Sequence, residues 1–300
     1  MTGRRYHRFS ERNTMERKQK YRWTRIELLV IFTACTVRIG WEHHLTLEYQ
    51  RQQEALRALV EAGERAGEDE GEEQGPVETQ DGGSSEKAGT SLKESLAGEE
   101  ETQEKTPVIL EKYAGLYEEN GNMVGWLSIP GTTIDYPVMR KAGDEYYLHH
   151  DFYGEENRHG CLFVKDIADV NTPGDCFIIY GHNMKDGTMF GDLDEYRSGE
   201  YYKEHSALRF DSLYEEREYE IMAVFLSHVY KEGEEGFRYY EFYTADTEEA
   251  FREFYDNVKE NALYDTGVSA AWGDKFLMLS TCAYHEEDGR LVVVAKQKRE

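Results

Sequence analysis

KFLMLSTCAYHEEDGRLVVVAK, residues 275–296, is the stretch whose reading decides the fold of this chain. Two apolar runs, 276–279 and 291–295, flank a short polar loop, and each has the length of a buried strand. The second is β-branched at Val292, Val293 and Val294, a content that suits a pleated, buried surface. Cys282 stands where the first run stops, and Gly289 and Arg290 stand where the second begins. Neighbouring strands joined by this loop would carry a thiol and a guanidinium at the same end of one sheet. Strands hold such groups more rigidly than loops do.

Cys282 alone decides nothing, because free cysteine is among the most buried residue types. Its partner lies far upstream. Residues 176–183, CFIIYGHN, read as another buried strand, followed by Gly181 and then His182. Imidazole exchanges protons near neutral pH, and a cysteine with a histidine distant in sequence is the pattern of thiol catalysis. Strand ends therefore offer a thiol, an imidazole and a permanent cation.

At these residues the chain resembles the sortases, the cysteine transpeptidases that attach proteins to Gram-positive cell walls. The resemblance is carried by LSTC (279–282), by Arg290 entering LVVVAK, and by YGHNM (180–184). KDGTMFGDLDEY (185–196) is most similar to class B members, and the likeness spans residues 106–296. It implies a mixed, mainly β fold: a closed β-barrel of about eight strands, with an N-terminal helix and an added helix before the cysteine strand. It implies Cys282, His182 and Arg290 as catalytic residues and Ser280 as a substrate-binding residue, with no cofactor and no metal. The implied partners are secreted proteins with a C-terminal sorting signal, cleaved after its threonine. The implied acceptor is an amine of peptidoglycan or its lipid-linked precursor, or a pilin lysine.

Charge organises the rest of the chain. The 300 residues hold 35 Lys/Arg against 60 Asp/Glu, a formal charge of −25. Residues 1–25 nevertheless carry nine Lys/Arg against Glu11 and Glu16. Such a block fits a nucleic-acid arm, but it ends where an apolar run begins, and a basic flank on an apolar run marks a cytoplasmic side. No nucleic-acid partner is expected. Residues 1–25 are read as a basic cytoplasmic tail and 26–41, IELLVIFTACTVRIGW, as an uncleaved single-pass membrane anchor with the N-terminus inside. The uncharged core of that anchor, between Glu27 and Arg38, is only about half of the ~20 apolar residues a spanning helix needs. Residues 42–105 read as a helix to about Ala62 and then a disordered acidic linker: residues 61–105 hold fifteen acidic side chains against four basic. The catalytic domain is expected over 106–300, outside the cell.

Within that domain, 108–119 has apolar residues at helical spacing and ends at Asn120-Gly121. Short β-type runs follow at 123–129, 133–139, 145–152, 160–164, 176–180, 208–210, 217–228 and 238–242, with a helical turn at 190–196. From the residues alone the pattern fits a mixed β-barrel or a sandwich. Residues 247–263 read as a helix with Thr247 as N-cap and one apolar face at Phe251, Phe254, Tyr255 and Val258.

Several alternatives stay open at this level. His285, close to Cys282, is a rival base in an acidic loop, and Arg290 has surface ion pairs with Glu286, Glu287 or Asp288 open to it. A Cys161–Cys176 disulfide is conceivable outside the cell. His149 and His150 would point to opposite faces of a strand, a poor metal pair, and no Cys/His spacing suggests zinc. A cell-wall cysteine peptidase or amidase with water as acceptor, and a non-catalytic anchored binding module, are the readings from other classes.

Overall fold

The runs at 276–279 and 291–295 are the central part of two long strands of a closed barrel. A computed structural model describes residues 3–72, 107–143 and 145–299. Its strands are β1 (Met123–Ser128), β2 (Asp135–Met139), β3 (Leu162–Val164), β4 (Cys176–Tyr180), β5 (Ala207–Ser212), β6 (Glu218–His228), β7 (Phe276–Cys282) and β8 (Gly289–Gln297). They close in the order β1-β2-β3-β4-β7-β8-β6-β5. The mixed, mainly β barrel expected from the sequence is thus the fold. Pairings β2–β3 and β4–β7 are parallel and the others antiparallel. Closure removes the unpaired edges that would otherwise template aggregation.

The alternation along β4, β7 and β8 explains why all three are apolar on both faces. Cys176, Ile178, Phe276, Met278, Val292 and Val294 form one buried cluster on the outer wall. The intervening residues Phe177, Leu277, Leu279, Leu291 and Val293 are buried as well, on the opposite faces of the same strands. The outer wall is covered by α4 (Glu248–Asn261), whose Thr247 side chain accepts the Ala250 amide, as an N-cap should. Phe251, Phe254 and Val258 of α4 are buried; the Phe254 ring stacks on Phe242 at 3.7 Å and meets Phe276 edge-on at 5.7 Å. The other helices are α1 (Gly3–Glu72), α2 (Glu111–Glu119) and the short α3 (Gly199–Glu204).

Two compact units are present, one ending at Ala55 and one running from Leu56 onward. In the second, Leu56 and Val60 pack with Tyr113, Leu116 and Trp126. The unit therefore starts earlier in sequence than residue 106, and helix extends past Ala62 to Glu72. The segment 26–41 lies within α1, but among the described residues no helix is long and apolar enough to cross a membrane. Glu27 and Arg38 interrupt the run, so the spanning anchor expected from the sequence lacks the required apolar length. Most of the acidic linker and the side chains of the basic tail lie outside the described residues.

Two expected strands are something else. Residues 145–152 contain a 3-10 turn, Tyr146–Leu148, and residues 238–242 contain another, Tyr239–Glu241. Both runs are aromatic-rich, which mimics β-propensity; their backbones bond locally, as in Leu148 N–H to Glu145 O and Phe242 N–H to Tyr239 O. His149 and His150 accordingly do not sit on a strand. Cys161 and Cys176 are free, buried thiols in separate clusters and do not pair.

Candidate active site

Register brings the candidate residues together. Along β4 and β7, Cys176 faces Phe276, Ile178 faces Met278 and Tyr180 faces Ser280. The Gly181 amide also reaches Ser280 O, so the ladder runs one residue past Tyr180, and His182 follows it at the end of β7 that carries Cys282. Across the other side of β7, Ser280 faces Val292 and Cys282 faces Arg290. Residues directly opposite in a ladder share a face, and residues two apart on one strand do too. Cys282 and Arg290 therefore form a row one step beyond Ser280 and Val292, and His182 follows Tyr180 and Gly181 at the same end of the wall.

Hydrogen bonds fix that end of the barrel. The Gly181 amide donates to Ser280 O at 3.3 Å and the Thr281 hydroxyl donates to Gly181 O at 2.8 Å. The Asn183 side-chain amide donates to Cys282 O at 2.9 Å. A Cβ at Gly181 would come within 2.4 Å of Leu162 and 2.8 Å of Phe190, so only glycine lets this turn pass beneath them. The Phe190 amide then donates to His182 O at 3.0 Å, closing the loop after His182.

His182 Nε2 lies 2.8 Å from Leu148 O. A carbonyl can only accept, so Nε2 carries a proton and Nδ1 is the nitrogen that gains and loses one. Burial pulls the His182 pKa below the usual histidine value, the Leu148 bond opposes this, and His149 with its ring 6.2 Å away adds to the lowering. The ring is mainly neutral at pH 7.

Cys282 is half-buried, whereas Cys161 and Cys176 are fully buried and their thiols are pushed far up by desolvation. Within the barrel unit, Cys282 is the accessible thiol. Arg290 is half-buried; its Nη1 donates to Asp288 O at 3.1 Å and to Gly289 O at 3.0 Å. Among the described residues it makes no ion pair: Glu286 pairs with His228 and His285, and Glu287 with Lys231. The guanidinium thus keeps donors for other oxygens. The rival base His285 is turned to Glu286, 2.9 Å from Nε2.

Ser280 shares the face of Cys282 as expected, but is buried, and its hydroxyl is 2.8 Å from that of Tyr239. Burial pushes the Tyr239 hydroxyl up to about 12; the Ser280 bond and the Arg290 charge pull it back. Sequence reading missed Tyr239, which lay hidden in a run taken for a strand. It also missed the Leu148 carbonyl, since a backbone group leaves no signature in residue type. Asn183 was in view inside YGHNM without an assigned task. Among the described residues no group of histidine, cysteine and carboxylate side chains could hold a metal.

A groove of about 980 Å³ lies elsewhere: Asp274, Lys275, Gln297 and Lys298 line it at the start of β7 and the end of β8. Its size does not mark the chemistry, because the thiol lies at the other end of the same strands.

The closed mixed barrel is the sortase fold, and a Sortase domain family model matches residues 127–298. The chain belongs to the sortase family, within class B. Over 188 residues it is 36% identical to a sortase B of Listeria monocytogenes, covering 60% of this chain and 72% of that protein. A crystal structure of Bacillus anthracis sortase B with the ligand AAEK1 superimposes with a TM-score of 0.56 at 31% identity, covering 64% of this chain and 86% of that one. A Staphylococcus aureus sortase B–substrate complex gives 0.58 at 27% identity, covering 64% and 87%.

Proposed function

We propose that this chain is a class B transpeptidase in which Cys282, His182 and Arg290 carry acyl exchange. The single observation that supports the proposal is the register that sets Cys282 opposite Arg290 at the same end of the barrel where β4, paired to β7 through Tyr180 and Ser280, runs on to His182. Cys282 as thiolate attacks the carbonyl of a threonine in a sorting signal. The peptide C–N bond breaks, the leaving amine takes a proton from His182 in the imidazolium form it gains when the Cys282 thiol ionises, and the acyl group stays on sulfur, leaving His182 neutral. An incoming amine then attacks the thioester, neutral His182 takes its proton, and the C–S bond breaks to restore the thiolate. Arg290 donates hydrogen bonds to the oxyanion formed at each attack.

Ser280 contributes by contact with the bound peptide, directly or through the Tyr239 hydroxyl it already engages. The substrates are secreted proteins with a C-terminal sorting signal, and the acceptor is a cell-wall or pilin amine. Work outside the cell follows from that acceptor. Attachment to the membrane draws support only from the basic flank of residues 1–25, since the apolar run is short of spanning length. Protease shaving of intact cells tests that placement: the catalytic domain is expected to be cut away from outside.

The decisive experiment offers the full chain a library of sorting-signal peptides with and without a primary amine, and identifies products by mass. Faster turnover with the amine joined to the threonine is expected. Products carrying only water would turn the reading to a cysteine peptidase; no cleavage of any library member would leave the binding-module reading.

A further inference from the structure

The loop that follows His182 holds a motif the transpeptidase reading leaves unused, DGTMF at 186–190. Asp186 Oδ1 accepts the Thr188 hydroxyl at 2.6 Å and the Thr188 amide at 3.2 Å. Its other oxygen, Oδ2, reaches across to His159 Nε2 at 3.2 Å. His159 is only 1% exposed, on a different connection, and its other ring nitrogen lies 3.1 Å from Asn157 Oδ1. A buried imidazole facing a carboxylate from a separate loop is a costly arrangement unless paired, so it ties the two loops together.

Both loops hold His182. The His159 segment is hydrogen-bonded to the turn that supplies the Leu148 carbonyl: Asn157 N–H donates to His149 O at 2.8 Å and Cys161 N–H to Tyr147 O at 2.8 Å. Next to His159, Gly160 takes a positive φ of 60° and passes so close to the Leu148 carbonyl that a Cβ there would lie 2.6 Å from its oxygen. A shift of His159 is therefore passed to the acceptor of His182 Nε2. The Asp186 segment begins four residues after His182 and is closed on it by the Phe190 amide.

We infer that His159 and Asp186 are a positioning pair that clamps the Leu148 acceptor and the His182 loop together, setting the orientation of the His182 ring for proton transfer. The inference rests on His182 being the acid–base group of the proposed reaction. Neither residue touches the reacting atoms; the pair acts through the Leu148 carbonyl and the loop backbone. Burial pulls the His159 pKa below the usual histidine value against the pull of Asp186. Near neutral pH one ring N–H then remains for two acceptors, and the carboxylate is the stronger.

Charged and titratable groups that act on His182 are His149 and His159, with Asp186 and Arg158 acting on His159. Desolvation is the largest influence on the His182 ring, so loosening the clamp admits water and moves its pKa up. This shift is the readout that a merely structural role would not give.

The test uses the full chain with histidines labelled at Cε1, the His182 resonance being identified by its loss in His182→Ala. In folded His159→Phe and Asp186→Ala, the pKa of His182 is expected to rise by about half a unit. Transpeptidation kcat should fall about tenfold, with KM changed far less. Asp186→Asn keeps a weaker acceptor and should shift both in the same direction by less. An unmoved His182 pKa in the folded variants overturns the inference. Should the two severe variants not fold, Asp186→Asn decides by the same criterion. Retained transpeptidation in His182→Ala would instead sink the reading beneath it, a distinguishable result.

Discussion

The two ends of the β4–β7–β8 wall differ in how their polar side chains are satisfied. At the far end, Lys275 pairs with Asp175 at 3.1 Å, Arg299 with Asp274 at 2.6 Å, Lys296 with Glu220 at 2.9 Å and Lys298 with Glu218 at 3.1 Å. Charge meets charge there. At the near end, the groups bond backbone carbonyls instead: His182 to Leu148, Arg290 to Asp288 and Gly289, Asn183 to Cys282. A carbonyl orients a side chain without neutralising it. The near end therefore keeps an unspent cation, a titratable nitrogen and an accessible thiol. The far end has a groove of about 980 Å³ and the near end has the reactivity.

Substitutions separate the ends. Cys282→Ala is expected to remove peptide cleavage by more than about ten-thousandfold, since the bond-forming atom is gone. His182→Ala and Arg290→Ala should each cost about 10²–10⁴-fold in kcat, through lost proton transfer and lost oxyanion stabilisation. Steady-state kinetics on the peptide and amine check all three. Phe254→Ala, beneath the wall rather than at either end, should destabilise the fold by about 3–5 kcal/mol, read from the denaturant midpoint. The cavity it leaves lies against Phe242 and Phe276.

Smaller effects sharpen the contrast. His182 and His159 both have pKa values below the unfolded value. The unfolded chain then binds more protons just below pH 6.5, so their contribution to stability is present above that pH and is lost as pH falls through the folded values. Melting temperatures between pH 7.5 and 5.5 should fall, and should fall less in His159→Phe. At the far end, Lys275→Ala removes one half-exposed ion pair. It should change stability by about 1 kcal/mol or less and leave peptide turnover alone. A large activity loss there would erase the distinction between the ends.

Much of this arrangement was legible in residue order. The apolar runs at 176–180, 276–279 and 291–295 are buried on both faces of their strands, so hydrophobicity alone marked them. Thr247 and the face Phe251, Phe254, Val258 marked α4. Two aromatic runs misled, because 3-10 turns such as Tyr146–Leu148 and Tyr239–Glu241 bury tyrosines as strands do. The six-residue α3, GEYYKE, buries no residue and offered no apolar stripe to read. Tyr239 meets Ser280 across 41 residues, and Asp186 meets His159 across 27. Contacts of that range are set by barrel closure, which no local pattern encodes. The 26–41 run is apolar but bracketed by Glu27 and Arg38, and among the described residues no helix is long and apolar enough to cross a membrane.

The most direct test mixes the full chain with an intact sorting peptide in two arms: one is quenched in acid and the added mass located by peptide mapping, the other receives a primary amine before quenching. An acyl group on Cys282 in the first arm, and its loss with formation of the peptide–amine product in the second, is the predicted result. An acyl group on another residue, or undiminished cleavage by Cys282→Ala, would contradict the account.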